Sequence, residues 1–278
     1  MKIAFNQATT MKHSNLEKDL ELCEKYGYHF IEIRLDQLKD YLKENTAESL
    51  KTFFETNRIQ PFAFNALEFI NFRDEEEYYR IKEDLKFLCE MGEVIRCKQI
   101  VVVPTFDIGD YTYSQIKEET VRVLHELAEL AQPHGVKLAL EFCGYPNCSV
   151  NTFGQAYEII QEVNRDDVGL VLDCFHFHAM NSDIRDLQQA DPDKIFAFHI
   201  DDCEDLPVGA LRDHHRVWPG EGTIDLESIL GVLKEIGYRD MASIELFRPE
   251  YWEWDVERTI KVAKERTEDM VSQYFEVG

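Results

Sequence analysis

The sequence predicts an α/β fold, a single (β/α)8 TIM barrel over residues 1–278 with its active site at the C-terminal ends of the strands. Eight short apolar runs alternate with longer amphipathic stretches along the chain, as strands and helices do around a covered parallel sheet. The turn after the first run, NQATTMKHSN, contains no glycine, whereas an open doubly wound sheet would place a glycine-rich turn there. The closed barrel is therefore the preferred fold.

Each apolar run predicts one strand. In chain order the runs are IAFNQAT from Ile3, FIEIRL from Phe30, PFAFNALEF from Pro61, QIVVVPT from Gln99, KLALEF from Lys137, VGLVLDCFH from Val168, IFAFHIDD from Ile195 and MASIELF from Met241. A segment with helical spacing follows each run. The segment after the fourth run, SQIKEETVRVLHELAELAQPHG, finishes on Pro133 and Gly135, which are typical residues at the end of a helix.

The composition of the chain indicates which kinds of binding partner to expect. The 278 residues include 54 acidic and 30 basic side chains, for a formal net charge of −24, and such a surface repels nucleic-acid phosphates. No apolar stretch approaches the ~20 residues that cross a bilayer, and the N-terminus lacks a signal-peptide pattern. The seven cysteines form no C-x-x-C pair and suit a reducing cytoplasm. We expect a small-molecule partner, no nucleic acid and no membrane, with a homo-oligomer left open.

Polar side chains finish four consecutive predicted strands. The runs LALE, LVLD, FAFH and ASIE finish in Glu141, Asp173, His199 and Glu245. Because the C-terminal ends of barrel strands meet at one face, these side chains are expected to converge there. Three carboxylates and one imidazole need a compensating cation, and the set suits one divalent ion such as Mn²⁺, Zn²⁺ or Co²⁺. Taken singly, each has the alternative of a helix N-cap or an ordinary ion pair.

A second group of residues is predicted at the rim of this face. His176 lies one helical turn beyond Asp173, where it would contact a ligand or order the loop. Arg216 belongs to HHRVWPGEG, within a stretch from Asp202 to Thr223 that is long for a plain connection. We expect Arg216 to hold substrate rather than stabilise the fold, so that alanine there leaves the melting temperature nearly unchanged; the alternative is a surface salt bridge. Trp218 would close the site or anchor the loop.

Four further polar residues near the strand ends carry weaker expectations. Asp201 and Asp202 follow His199, and for them an outer-sphere role at the metal and a simple N-cap are equally open. Glu68 follows the third strand and has a weak claim to face the pocket. His178 is expected to pack or face solvent, outside the site.

The pattern of polar residues resembles the xylose-isomerase-like TIM-barrel family of sugar isomerases, epimerases and a related endonuclease. It comprises Glu141, Asp173-x-x-His176, His199-x-Asp201, Arg216-x-x-x-Gly220-x-Gly222 and Glu245. The resemblance runs the length of the chain. The stretches VNTFGQAYEI, VGLVLDCFHFHAM, RVWPGEG and ELFRPEYW are most similar to the branch of the family that isomerises inososes in myo-inositol catabolism.

The resemblance implies a metal-dependent isomerase of carbohydrate metabolism. Its substrate would be a cyclic polyol ketone whose carbonyl moves to the adjacent carbon, interconverting 2-keto-myo-inositol and 1-keto-D-chiro-inositol through an enediolate. The implied metal ligands are Glu141, Asp173, His199 and Glu245, and the implied substrate-binding residues are His176 and Arg216. We expect Trp218 beside them as a third substrate-binding residue. Glu141 and Glu245 would also be catalytic, moving protons on opposite sides of the substrate.

Other activities on the same fold remain open at this point. An inosose dehydratase would use similar ligands but eliminate water, and a ketose 3-epimerase would return the proton to the same carbon. The endonuclease relatives hold three metals and place an Asp-x-His pair around the loop arginine, whereas Arg216 is flanked by His215 and Val217. A non-catalytic sugar-binding protein would not need two metal-bound glutamates.

Overall fold

The computed structural model describes residues 1–106 and 108–278 and contains a closed barrel of eight parallel strands. The strands are β1 (Lys2–Asn6), β2 (Phe30–Arg34), β3 (Gln60–Leu67), β4 (Gln99–Val102), β5 (Lys137–Glu141), β6 (Val168–Asp173), β7 (Ile195–Ile200), the two-residue strands β8 (Asp202–Cys203) and β9 (Arg216–Val217), and β10 (Met241–Ile244). The barrel closes between β1 and β10, while β8 and β9 form a separate antiparallel ribbon. All eight predicted strands are confirmed.

Helices cover the outside of the barrel. They are α1 (Leu16–Lys25), α2 (Leu35–Tyr41), α3 (Ala47–Thr56), α4 (Glu75–Ile95), α5 (Tyr113–Ala131), α6 (Phe153–Val163), α7 (Cys174–Ala179), α8 (Ile184–Gln188), α9 (Leu226–Ile236), α10 (Pro249–Trp252) and α11 (Val256–Val271). The predicted helix after β4 is α5, and Gly135 closes the following 3-10 turn with a φ of 64°. Within the described ranges, no helix combines the length and apolar character needed to cross a bilayer.

The strand register brings the polar strand ends to one level. Asp173 on β6 pairs with His199 on β7, and His199 lies opposite Ser243, two residues before Glu245. Every residue of β6 and β7 is buried, including these two polar ones. Since parallel strands all finish at the same face, the apolar runs deliver their terminal side chains to one end of the barrel axis.

Asp202 holds the long loop after β7 in place through hydrogen bonds. Its Oδ2 accepts the backbone N–H groups of Gly220 (3.1 Å) and Gly222 (2.9 Å), and its Oδ1 accepts that of Ile224 (2.9 Å). A Cβ on Gly222 would lie 2.2 Å from the carbonyl oxygen of Cys203, so only glycine fits there. Asp202 is thus a loop anchor, and the ribbon it supports carries Arg216 back over the barrel.

Candidate active site and metal centre

The structure brings the four strand-end side chains together. Glu141, Asp173, His199 and Glu245 are all buried, and one ligand atom from each lies within 4.8 Å of the others. His199 Nδ1 is 2.9 Å from Glu141 Oε1, 3.2 Å from Glu245 Oε2 and 3.8 Å from Asp173 Oδ2. The imidazole nitrogen is therefore surrounded by three carboxylate oxygens at the centre of the group.

This donor set fits one divalent cation. Glu141 Oε1 and His199 Nδ1 are close, yet neither has a hydrogen-bond partner among the described residues, so the two atoms are not a donor–acceptor pair. Charge balance gives a second reason. Among the described residues, the only buried arginine is Arg216, which contacts Asp173, Asp201 and Glu245, while the buried carboxyl groups of Glu32 and Glu141 contact His199. One imidazole with carboxylates is a ligand set that suits Zn²⁺, Mn²⁺ or Co²⁺.

Asp173 uses its two oxygens differently. Oδ1 accepts the backbone N–H of His176 at 2.6 Å and caps α7, while Oδ2 lies 2.7 Å from Arg216 Nη1. Burial raises the pKa of Asp173, but the charges of Arg216, His176 and His199 outweigh it and lower the pKa to about 2. The helix-cap interpretation of Asp173 is confirmed through Oδ1, while its role as a metal ligand through Oδ2 stays a prediction.

The two glutamates lie in different environments. Glu245 Oε1 accepts the side-chain amides of Asn6 (2.8 Å) and Asn65 (3.4 Å). Burial acts to raise the pKa of Glu245, but His199 and Arg216 lower it overall. For Glu141, burial and the charge of Glu245 raise the pKa to about 8. A cation held between the two glutamates would favour the ionised form of Glu141, whereas the surrounding protein groups alone do not favour it.

Arg216 is completely buried, so the surface salt-bridge alternative is wrong. Nη1 contacts Asp173, lies 3.3 Å from Glu245 Oε2 and makes a short contact with Asp201. Nη2 lies 3.1 Å from Asp213 Oδ1. The guanidinium group also packs against the aromatic rings of Phe175 and Phe247. The expectation that alanine here would leave the melting temperature unchanged assumed an exposed pair, and the burial of Arg216 removes that premise.

His176 presents an unused donor. Its Nε2 lies 3.2 Å from Arg216 Nη2, and since a guanidinium only donates, Nε2 must be the acceptor. The ring proton is then on Nδ1, which is buried and has no partner among the described residues. Burial lowers the pKa of His176, which favours this neutral form. The site thus contains an N–H group free to bind an oxygen atom.

The remaining predicted residues are not members of this group. Trp218 is buried and stacks on Tyr251 with ring centroids 4.3 Å apart, which anchors the loop against the segment after β10. Its contact with substrate stays a prediction. Glu68 is exposed and borders a cavity of about 340 Å³ that Asn65 also lines. His178 borders a different cavity, next to Ser182, and is not part of the site.

Sequence analysis overlooked Glu32 and Asn6. Glu32 is fully buried in β2, and its carboxylate is 3.1 Å from His199 Nε2. Asn6 finishes β1 and orients Glu245. The signal for both was present, since each is a polar residue inside or at the end of an apolar run, IAFN and FIEIR. The N-cap alternative for Asp201 is wrong, because the strand β8 rather than a helix follows it. Its side chain contacts Arg216, and an outer-sphere role at the metal stays a prediction.

Comparison with known proteins identifies the family. The model of the xylose isomerase-like TIM barrel family matches residues 20–266. The chain is 54% identical to an inosose isomerase of Halalkalibacterium halodurans, over 99% of this chain and 98% of that protein. It is 52% identical to the inosose isomerase of Bacillus subtilis, over 99% of both proteins.

Solved structures agree with the sequence comparison. The crystal structure of the IOLI protein with a bound zinc atom superposes with a TM-score of 0.97 at 53% identity, covering 99% of this chain and 100% of that one. A D-psicose 3-epimerase of Clostridium cellulolyticum superposes with a TM-score of 0.78 at 18% identity, over 99% of this chain and 100% of that one, and shows the shared fold alone. The chain belongs to the xylose isomerase-like TIM barrel family.

Proposed function

We propose that this protein is a divalent-metal-dependent isomerase that interconverts 2-keto-myo-inositol and 1-keto-D-chiro-inositol. The observation that carries the proposal is its similarity to inosose isomerases, at 52–54% identity over 99% of the chain. The buried group of Glu141, Asp173, His199 and Glu245 supports it, because these residues could hold a divalent ion. Moving a carbonyl requires a site that stabilises negative charge on oxygen, which such an ion supplies. We take these four residues as the metal ligands.

The proposed chemistry moves protons on both carbon and oxygen. The hydroxyl-bearing carbon and its hydroxyl group each lose a proton, which gives an enediolate; the former carbonyl carbon and the former carbonyl oxygen then each gain one. We assign to Glu141 and Glu245 the removal and return of the carbon-bound protons. When bound, the divalent ion supplies Lewis-acid stabilisation of the enediolate charge. Asn6 and Asn65 hold Glu245 by its Oε1.

His176 and Arg216 are proposed to bind the substrate's oxygens. His176 offers the free Nδ1–H described above, a donor for a hydroxyl or carbonyl oxygen. Arg216 brings positive charge to the same region and fixes the acceptor nitrogen of His176 at 3.2 Å. For Trp218 the stacking on Tyr251 supports a role in holding the loop that carries Arg216, through which it would shape the substrate site.

We also propose a cytoplasmic location. All seven cysteines are free and buried, and Cys143 and Cys148 lie in the loop that follows β5. Unpaired thiols in a loop next to the proposed catalytic Glu141 suit a reducing compartment.

The test is to identify the product. Metal-loaded protein is incubated with 2-keto-myo-inositol, and the mixture is followed by NMR and ultraviolet absorbance. The proposal predicts NMR signals of 1-keto-D-chiro-inositol with no new absorbing species. An absorbing enolic dione would identify a dehydratase, and inversion at a carbon beside an unmoved carbonyl would identify an epimerase. Either result would contradict the proposal. His178→Gln is the matched control, because His178 lies outside the site.

A further inference from the structure

Glu32 is a buried carboxylate with a single side-chain partner. It lies in the middle of β2 between Ile31 and Ile33, and all three residues are completely buried. Among the described residues, the hydrogen bond to its carboxylate comes from His199 alone, with Nε2 3.2 Å from Oε2 and 3.1 Å from Oε1. The hydrogen bond is made to Oε2, and within the described ranges Oε1 has no hydrogen-bond partner beyond this ion-pair contact.

This contact determines which nitrogen of His199 is free. An ionised carboxylate only accepts hydrogen bonds, so Nε2 carries a proton and donates it to Glu32. In the neutral ring the lone pair is then on Nδ1. Nδ1 is the atom that lies 2.9 Å from Glu141 Oε1 and 3.2 Å from Glu245 Oε2. Glu32 therefore holds the imidazole in the tautomer, and in the orientation, that a metal ligand at this position requires.

A purely structural role explains Glu32 less well. Asp19, a buried carboxylate elsewhere in the barrel, accepts hydrogen bonds from Gln7, Thr10 and Ser14, as expected for a group that is satisfied by the fold. Glu32 has one donor, and replacing a buried ion pair by apolar residues is often neutral or stabilising. The carboxylate of Glu32 is better explained by its effect on His199, the neighbouring proposed metal ligand.

We infer that Glu32 is a positioning residue, which strengthens metal binding by fixing the Nε2–H form of His199. This inference rests on the proposed metal centre. An outer-sphere carboxylate of this kind raises the basicity of the ligating nitrogen, and its loss typically costs about 10–100-fold in metal affinity. The relevant comparison is between Glu32→Met, which keeps the volume but accepts no N–H, and Glu32→Gln, which keeps an acceptor but loses the charge.

The experiment measures Zn²⁺ affinity of metal-stripped protein by competition with a chelator. Wild type is expected to bind one Zn²⁺ per chain, Glu32→Met to bind about 10–100-fold more weakly, and Glu32→Gln to lie between them. Asp19→Asn is the matched control, since it alters a buried carboxylate away from the metal group and should keep wild-type affinity. Circular dichroism establishes that each variant is folded.

A second readout, independent of affinity, is the ¹⁵N NMR spectrum of the histidines in Zn²⁺-loaded wild type. The His199 signal is assigned by its absence in His199→Gln, and the proton is expected on Nε2. Wild-type Zn²⁺ affinity in Glu32→Met would overturn the inference while leaving the metal centre intact. A proton on Nδ1 would contradict both, because that nitrogen could then not bind the ion. If wild type itself binds no Zn²⁺, the metal centre and the inference fail together.

Discussion

Arg216→Met should strongly destabilise the metal-free protein. The guanidinium is the positive charge that faces Asp173, Asp201 and Glu245 in the buried end of the barrel. Methionine keeps much of the side-chain volume but leaves these carboxylates without that charge. Because water does not reach them, their cost of burial is no longer offset.

The size of the effect follows from the contacts. The pKa of Asp173 is about 2 against an ordinary value of 3.8, a shift that corresponds to about 2–3 kcal/mol of stability at neutral pH. Arg216 is the largest cause that lowers this pKa, and His176 and His199 supply the rest. Losing the contacts to Asp201 and Glu245 adds to this, and removing one partner of a buried pair generally costs about 3–5 kcal/mol. We expect a total in that range. Since the Asp173 pKa is depressed, its part of the loss should shrink as pH falls from about 4 toward 2.

The assay is urea unfolding followed by circular dichroism, with a chelator present. Arg216→Lys keeps a positive charge and should lose less stability than Arg216→Met. Arg185→Met is the control, because Arg185 is exposed and pairs only at the surface with Asp183, where a loss of about 0–1 kcal/mol is expected. Adding a divalent ion should raise the free energy of unfolding more for Arg216→Met than for wild type. A metal-free loss below about 1 kcal/mol would refute the reasoning.

The other predictions concern metal content, proton transfer and pH. Asp173→Ala and His199→Ala should each lose most of the bound metal while the barrel still folds, and full occupancy by elemental analysis in both would contradict the ligand assignment. Glu141→Gln and Glu245→Gln, assayed with excess metal, should each slow isomerisation by at least about 10²–10⁴-fold, and wild-type rates in both would show that neither glutamate moves a proton. Burial raises the pKa of Asp19 from 3.8 to about 6. The folded protein then binds more protons than the unfolded chain between these values, so this contribution to stability is present below about pH 4 and lost as pH rises to about 6. The difference in unfolding free energy between wild type and Asp19→Asn should fall by about 3 kcal/mol over that range, and a flat difference would contradict the assignment.

Much of the fold could be predicted from periodicity. The runs that become β6 and β7 are apolar throughout because both faces of these strands are buried, and this pattern does not depend on distant contacts. The polar residue that finishes each of these runs, Asp173 or His199, stands out against the apolar background. Glu141 and Glu245 are visible in the same way, and the barrel rule alone places all four at one face.

The burial of Arg216 could not be predicted, because it depends on a tertiary feature. The two-residue ribbon pairs Cys203 with Arg216 and turns the arginine inward, and the anchor that shapes this loop is Asp202. Neither the pairing of Cys203 with Arg216 nor the hydrogen bonds of Asp202 produce a periodic pattern in the sequence. Glu32 could not be predicted for another reason: it interrupts its strand in the middle, whereas the barrel rule places site residues at strand ends.

The central claim is that the barrel moves a carbonyl between neighbouring carbons at its metal group. Its most direct test is an NMR time course of 2-keto-myo-inositol in D₂O with metal-loaded protein. We expect 1-keto-D-chiro-inositol to form and to carry deuterium at the carbon that held the carbonyl, because the returned proton comes from a carboxylate that exchanges with solvent. Its formation should stop when the metal is chelated. Unchanged substrate in the presence of fully metal-loaded, folded protein would show that the barrel does not move the carbonyl.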